Sequence, residues 1–242
     1  MRYLGHVIIA LAIIIGLALA ASAYKYRFRS AQTIVVTGLA EKDFTSDQIV
    51  WTGSFSRQGF DLKDAYAQLK ADEAEIRRYL NGNRIPDSNI VFSSVDVQRN
   101  YEQRFDDNGR QTGSVFSGYN LNARVTVDSR NIAVVERLSR EITGLLQKGI
   151  ELNSTPPAYY FSGLNTLKID LLAKASQDAL SRAKTIADNS DAGLGDIRKA
   201  TMGVFQITGR NMNEDYSYGG AFNTSSKEKT ASITLRVEYG IE

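Results

Sequence analysis

Cysteine is absent from this chain, histidine occurs once and proline three times. Without cysteine there are no disulfides, no thiolate metal sites and no thiol nucleophile. That absence is compatible with an oxidising compartment. The single histidine, His6, lies in an apolar N-terminal run, where it reads as an interfacial residue. The polar remainder therefore has no imidazole to serve as the base of a hydrolytic triad. Few prolines and no low-complexity stretch describe a folded domain rather than a stalk. A formal net charge of +2 over the whole chain provides no basic face, so nucleic acid is not expected as a partner. Neither G-x-S-x-G nor G-x-x-x-x-G-K-[ST] occurs. Gly193-Leu194-Gly195 opens like a dinucleotide fingerprint, but it follows a helical pattern and Arg198 stands where the third glycine belongs. It reads as a helix C-cap. The paired carboxylates Asp106-Asp107 and Glu214-Asp215 sit in turn and loop contexts without calcium-loop spacing. They read as solvated charge. No cofactor and no metal follow from any of this, and the chain is read as not an enzyme.

What is present begins at the N-terminus. Tyr3 to Ala23 is almost wholly apolar, close to the roughly 20 residues that cross a bilayer core of about 30 Å. Ala21-Ser22-Ala23 offers a signal-peptidase site, but the run exceeds the ~7–15 residues of a usual signal core. The next residues are Tyr24, Lys25, Tyr26, Arg27, Phe28 and Arg29. Alternating rings and basic stems suit a headgroup interface. Residues 1–29 are read as an anchor with a basic-aromatic flank, in preference to a signal cleaved near Ala23. The flank's positive charge alone would hold the remainder on the cytoplasmic side.

Residues 31–242 carry alternating strand and helix patterns. Thr33–Leu39 reads as a first strand and Asp47–Gly59 as a second, with Ile49, Trp51 and Phe55 on one face. Asp61 is placed to cap a helix to about Leu80, with Leu62, Ala65, Leu69, Ile76 and Leu80 inside and Asn81-Gly82-Asn83 as its stop. Two long strands, about Asn89–Phe105 and Ser114–Asp128, flank a turn at Asp106–Gly109. A helix capped by Asp128 or Ser129 then runs to Lys148. Ala158–Ser162 reads as a short strand. The longest helix, about Asn165–Asn189, has a stripe of Leu167, Leu171, Leu172, Ala175, Ala179, Ala183 and Ile186, small enough for close approach to a neighbour. Strands about Ile197–Thr208 and Thr230–Tyr239 close the chain. Hairpin-linked strands with helices between pairs predict an α+β fold, with antiparallel or mixed sheets and helices on one face.

Between the last two strands lies a connection, Arg210–Lys229, rich in Gly, Asn, Ser and Tyr. A connection of this length is functional or disordered. Tyr216, Tyr218 and Phe222 make it a candidate contact loop, since tyrosine supplies contact area at low entropy cost.

Three blocks resemble the SIMPL-domain family, a domain of unknown function found in bacterial periplasmic antigens. The first is Ile34-Val35-Val36-Thr37-Gly38. The second is Tyr119 to Val127, leading into the helix at Ile132. The third is Tyr160-Phe161-Ser162, followed by Ala175, Ala179, Ala183, Lys184 and Ala187, then Gly193-Leu194-Gly195. The chain departs from the family where Lys42-Asp43-Phe44 stands in place of a Pro-Asp. The resemblance implies an α+β fold and an exported location; together with the N-terminal anchor, this puts the expected domain on the periplasmic side of the bacterial inner membrane. Some relatives resemble builders of large homo-oligomers and others are linked to oxidative-stress tolerance or signalling adaptors, so the expected partner is a further copy of the chain or an envelope protein. The resemblance implies no reaction. The expected function is a non-catalytic scaffold. The alternative is a ligand-binding protein or a His- and Cys-free enzyme with a carboxylate, Tyr and Arg pocket.

Overall fold

The computed structural model describes residues 11–22, 24, 32–211 and 219–241. Its first element, helix α1, takes residues 11–22 with every side chain exposed. Twelve helical residues span about 18 Å, and among the described residues no helix is long and apolar enough to cross a membrane. Residues 1–10, which complete the apolar run, lie outside the described residues.

The chain is α+β and divides into two compact units. One takes Met1–Asp43, Gly163–Phe222 and Thr230–Glu242; the other takes Phe44–Ser162 and Asn223–Lys229.

In the first unit, β10 (Glu228–Ile241) lies between β1 (Thr33–Thr45) and β8 (Leu194–Met202), and β9 (Gln206–Gly209) also pairs with β10. Ala231, Ile233, Leu235, Val237 and Tyr239 point inward from β10, as strict alternation requires. Helix α4 (Leu164–Asp188) buries Leu167, Leu171, Ala175, Ala179, Ala183 and Ala187. From Leu167 on this stripe advances four residues at a time, which leaves Leu172 half-buried and turns Ile186 outward. The alanines bring α4 onto β1. A Cβ built on Gly38 would overlap the Ala175 carbonyl oxygen and lie 2.7 Å from the Ala179 nitrogen. The Leu39 N–H donates to Asp178 Oδ2 at 2.8 Å, and this bond holds the Asp178 carboxyl below the usual range. The segment expected as one strand over Ile197–Thr208 is broken into β8 and β9. At the break the Gly203 N–H bonds the Thr234 carbonyl at 2.8 Å.

The second unit is built on an antiparallel sheet in the order β3-β5-β2-β6, with β4 also on β5 and β7 on β2. Its strands are β2 (Gln48–Gly59), β3 (Ile90–Phe92), β4 (Asp96–Phe105), β5 (Gln111–Ser129), β6 (Glu151–Ser154) and β7 (Ala158–Tyr160). β2 and β5 pair from Ile49↔Ser129 to Gly59↔Tyr119. Ile49, Trp51 and Phe55 join Leu121, Ala123, Val125 and Val127 in one core with Ala65, Leu69, Ile76 and Leu80 of α2 (Leu62–Gly82). Val135 and Leu138 of α3 (Ile132–Glu141) complete it.

Local chemistry explains the helix ends. Asp61 caps α2 by accepting from the Lys63 and Asp64 amides, as expected. Leu62 lies in the first turn and is exposed. The left-handed residue after α2 is Arg84 rather than a residue of Asn81-Gly82-Asn83. Asn131, not Asp128 or Ser129, caps α3 by accepting from the Val134 amide, while Ser129 Oγ accepts from the Asn131 amide. The helix expected to reach Lys148 tightens into a 3-10 stretch at Ile142–Lys148 and ends at Gly149, φ 75°. The strand expected over Asn89–Phe105 is interrupted between β3 and β4. There the Ser93 Oγ accepts from the Arg124 amide at 3.0 Å.

One buried cation closes the second unit. Lys229 is 2% exposed, and its Nζ donates to the Tyr159 and Asn223 carbonyls, each at 2.6 Å. The Tyr159 N–H donates to the Thr224 carbonyl at 2.7 Å. Segment 223–229 is thus tied to β7. Lys229→Met keeps the stem and leaves buried carbonyls without their donor. It is expected to lower unfolding free energy by about 2–3 kcal/mol, read as a lower urea midpoint at unchanged slope.

Candidate interaction surface

β5 is longer than the strand it pairs with on one side. β5 has 19 residues and β2 has 12, and their pairing stops at Gly59↔Tyr119. Gln111 to Gly118 therefore carry β4 alone among the described strands, as a two-stranded ribbon. A turn closes the far end. The Gly109 N–H donates to the Asp106 carbonyl, Asp106 Oδ1 accepts from the Asn108 and Arg110 amides, and Gly109 takes φ 74°. At the near end the register shifts between Asn100 and Tyr101, opposite Gly118 and Phe116. Gly118 has φ 125°, and a Cβ there would sit 2.9 Å from the Gly59 carbonyl oxygen. Glycine is needed at that bend both for its backbone angle and for the close approach.

The ribbon continues the core face past the start of α2, where no described helix covers it. Arg99 lies opposite Tyr119, and Tyr101 lies opposite Phe116. Phe116 meets Tyr119 edge-on at 5.0 Å, Tyr101 at 5.9 Å and Phe60 at 6.5 Å. Phe60, Tyr101 and Phe105 are 74, 55 and 59% exposed. A depression of about 560 Å³ opens beside them, lined by Phe60, Leu62, Tyr66, Val97 and Tyr119 with Asp61 and Lys63 at its polar rim. Exposed aromatic residues in one place, rimmed by charge, mark a contact surface.

The contact loop read from sequence is placed in part. Tyr216 and Tyr218 lie outside the described residues, as do Lys25, Arg27 and Arg29. Tyr24 is helical and exposed. Phe222 is half exposed and forms an isolated bridge with Ile207. The Ile207 N–H bonds the Ala221 carbonyl at 2.7 Å, and the Ala221 N–H bonds the Gln206 side chain. The described end of the loop is therefore docked on β9.

A polar depression of about 270 Å³ is the place where carboxylate, tyrosine and arginine converge. Glu136, Ser139, Arg140, Ser154 and Tyr159 line it. Most of these groups serve one another. The Tyr159 hydroxyl donates to Glu136 Oε1 at 3.0 Å, Ser154 Oγ donates to the Ser139 carbonyl, and Trp51 Nε1 donates to Ser154 Oγ. Burial, then Glu136, raises the Tyr159 pKa above its ordinary value. That favours a neutral hydroxyl fixed as a donor. Among the described residues there is no cluster of three or more His, Asp or Glu able to hold a metal.

The ribbon was the harder feature to read from the sequence. Phe60, Tyr101, Phe105, Phe116 and Tyr119 are visible there, but how far they are covered follows from where β2 stops and α2 starts. The signal that points to it is that β5, with 19 residues, outlasts β2, with 12.

The family model SIMPL, described as a protein of unknown function (DUF541), matches residues 34–239, and the chain belongs to that family. No curated protein matches it.

Proposed function

We propose that this SIMPL-family chain is a membrane-tethered, extracytoplasmic module without catalytic function, which associates with itself or with an envelope protein through the aromatic ribbon. The observation that carries this reading is the exposure of Tyr101 and Phe105 on the ribbon and of Phe60 beside it, with no cover among the described residues. A two-stranded ribbon is marginal in water by itself, and bare aromatic area gains free energy when covered. The apolar run ending near Ala23, with its exposed helical residues 11–22, supports a tether at the bacterial inner membrane. The periplasmic side and a part in oxidative-stress tolerance rest on the family resemblance.

Light scattering of the full chain in mild detergent tests the reading over a concentration series. The native chain is expected to exceed the protomer mass. Tyr101→Ser with Phe105→Ser is expected to shift it towards the protomer by at least tenfold in dissociation constant, since two buried rings contribute about 1.5–3 kcal/mol each. A native chain that stays a protomer and captures no envelope protein overturns the proposal. An unchanged mass in the double variant moves the contact to another surface, with removal of residues 211–226 the next variant.

The second reading, a ligand-binding or enzymatic pocket, is favoured only by the Glu136, Arg140 and Tyr159 depression. Its mutual hydrogen bonds leave the exposed Arg140 as the principal group facing a ligand.

A further inference from the structure

We infer that the partner of the ribbon is a second copy of this chain, joined edge to edge along β4 in an antiparallel register centred on Asn100. The inference rests on the self-association reading above and specifies the edge and register. Among the described residues β4 pairs with β5 alone, and its other edge is bare. Nine of its ten residues are exposed. An edge of this length is a template for another strand, and natural chains blunt such edges or use them.

The sequence of β4 complements itself. Two copies related by a two-fold axis normal to the sheet keep matching faces together, so residues of the same parity meet. With Asn100 opposite its own copy, Asp96 meets Arg104 and Arg104 meets Asp96. Gln98 meets Glu102, and Arg99 meets Tyr101. Both ends of the contact thus carry an opposite-charge pair, and both flanks of its centre carry a guanidinium beside a ring. Sliding the copies two residues one way sets Asp96 against Glu102 and Arg99 against its own copy. Sliding them the other way sets Arg104 against Gln98 and pairs no opposite charges. Like charges directly opposite destabilise a strand pair and opposite charges stabilise it, so this charge pattern selects the Asn100 register over its neighbours. The aromatic side of the ribbon also becomes continuous across the axis, bringing Tyr101 of each copy beside the other.

The absence of cysteine makes the test direct. Asn100→Cys introduces one thiol in the full chain, and in this register it faces its own copy at about 4.5–5.5 Å between Cα atoms, within disulfide reach. Under a mild oxidant it is expected to give a covalent dimer. Gln98→Cys alone is expected to give none, because its own copy lies four residues away, about 13 Å. Gln98→Cys mixed with Glu102→Cys is expected to give a heterodimer. Asp96→Arg is expected to lower the Asn100→Cys dimer yield about tenfold, since both end pairs become repulsive. Asp96→Arg with Arg104→Asp is expected to restore it, which a damaged fold would not. If the native chain is an oligomer and Asn100→Cys stays unlinked, the β4 edge is wrong while self-association stands. If Gln98→Cys links as well as Asn100→Cys, the register is wrong. If the native chain is a protomer at every concentration, this inference falls, and the proposed function stands only if the chain captures an envelope protein.

Discussion

Gly38→Ala should destabilise the first unit by about 3 kcal/mol or more, although it adds a single methyl group. The new Cβ would overlap the Ala175 carbonyl oxygen and lie 2.7 and 2.9 Å from the nitrogen and Cβ of Ala179. Two of these three atoms are helix backbone, so no rotamer change clears the space. The strand and α4 would have to separate. That would loosen the alanine stripe and stretch the Leu39 to Asp178 hydrogen bond, 2.8 Å in the native chain. Gly82→Ala is the control. Nothing lies within 4 Å of a Cβ there, and replacing glycine at the end of a helix should be neutral or gain up to about 0.5 kcal/mol. Urea unfolding of the two variants measures both. A Gly38→Ala midpoint equal to that of Gly82→Ala would disprove close packing of α4 on β1.

Arg57→Ala should cost about 3 kcal/mol for a different reason. Asp72 is 5% exposed in the buried face of α2. Arg57 Nη2 donates to Asp72 Oδ1 at 2.7 Å and its Nε donates to Oδ2, a two-point fork from β2 to α2. Removing the guanidinium strands a carboxylate away from water, a change that typically costs about 3–5 kcal/mol. The lower end applies because the Arg57 side chain is 26% exposed and water can enter when it leaves. Removing the other partner is expected to cost less, since Arg57 can turn to solvent. Replacing both, as Arg57→Met with Asp72→Leu, should recover most of the loss, because a matched apolar pair needs no charge compensation. A thermodynamic cycle of the four proteins decides it. An Arg57→Ala loss below that of Asp72→Ala would show that the carboxylate is not the buried partner.

Much of the fold was legible because its rules are local. The alternation in β10 named its inward residues, and the four-residue spacing from Leu167 to Ala183 named the face of α4. Asp61 reads as a cap from its position before an apolar period, and it caps α2. Two misses share a cause. The strands around Ser93 and Gly203 change geometry where a long-range partner intervenes. Arg124 meets Ser93, and Thr234 meets Gly203. No window of the chain contains both members of those pairs. The loop from Arg210 reads as a contact surface; Tyr216 and Tyr218 lie outside the described residues, and its described end is bonded to β9 with Phe222 half exposed.

The sequence by itself determined most of the apolar side chains that lie inside, the chemistry withheld by an absence of cysteine and of histidine beyond His6, and membership of the SIMPL family. These depend on residue type and on periods of two and about four, which neighbours along the chain suffice to express. Only the tertiary structure decided that β5 outruns β2, that Gly118 bends the ribbon away, and that Asp72 and Lys229 are buried with their partners. Those outcomes depend on where one element ends relative to another far along the chain. Exposure is a property of what covers a residue, and that is set by packing.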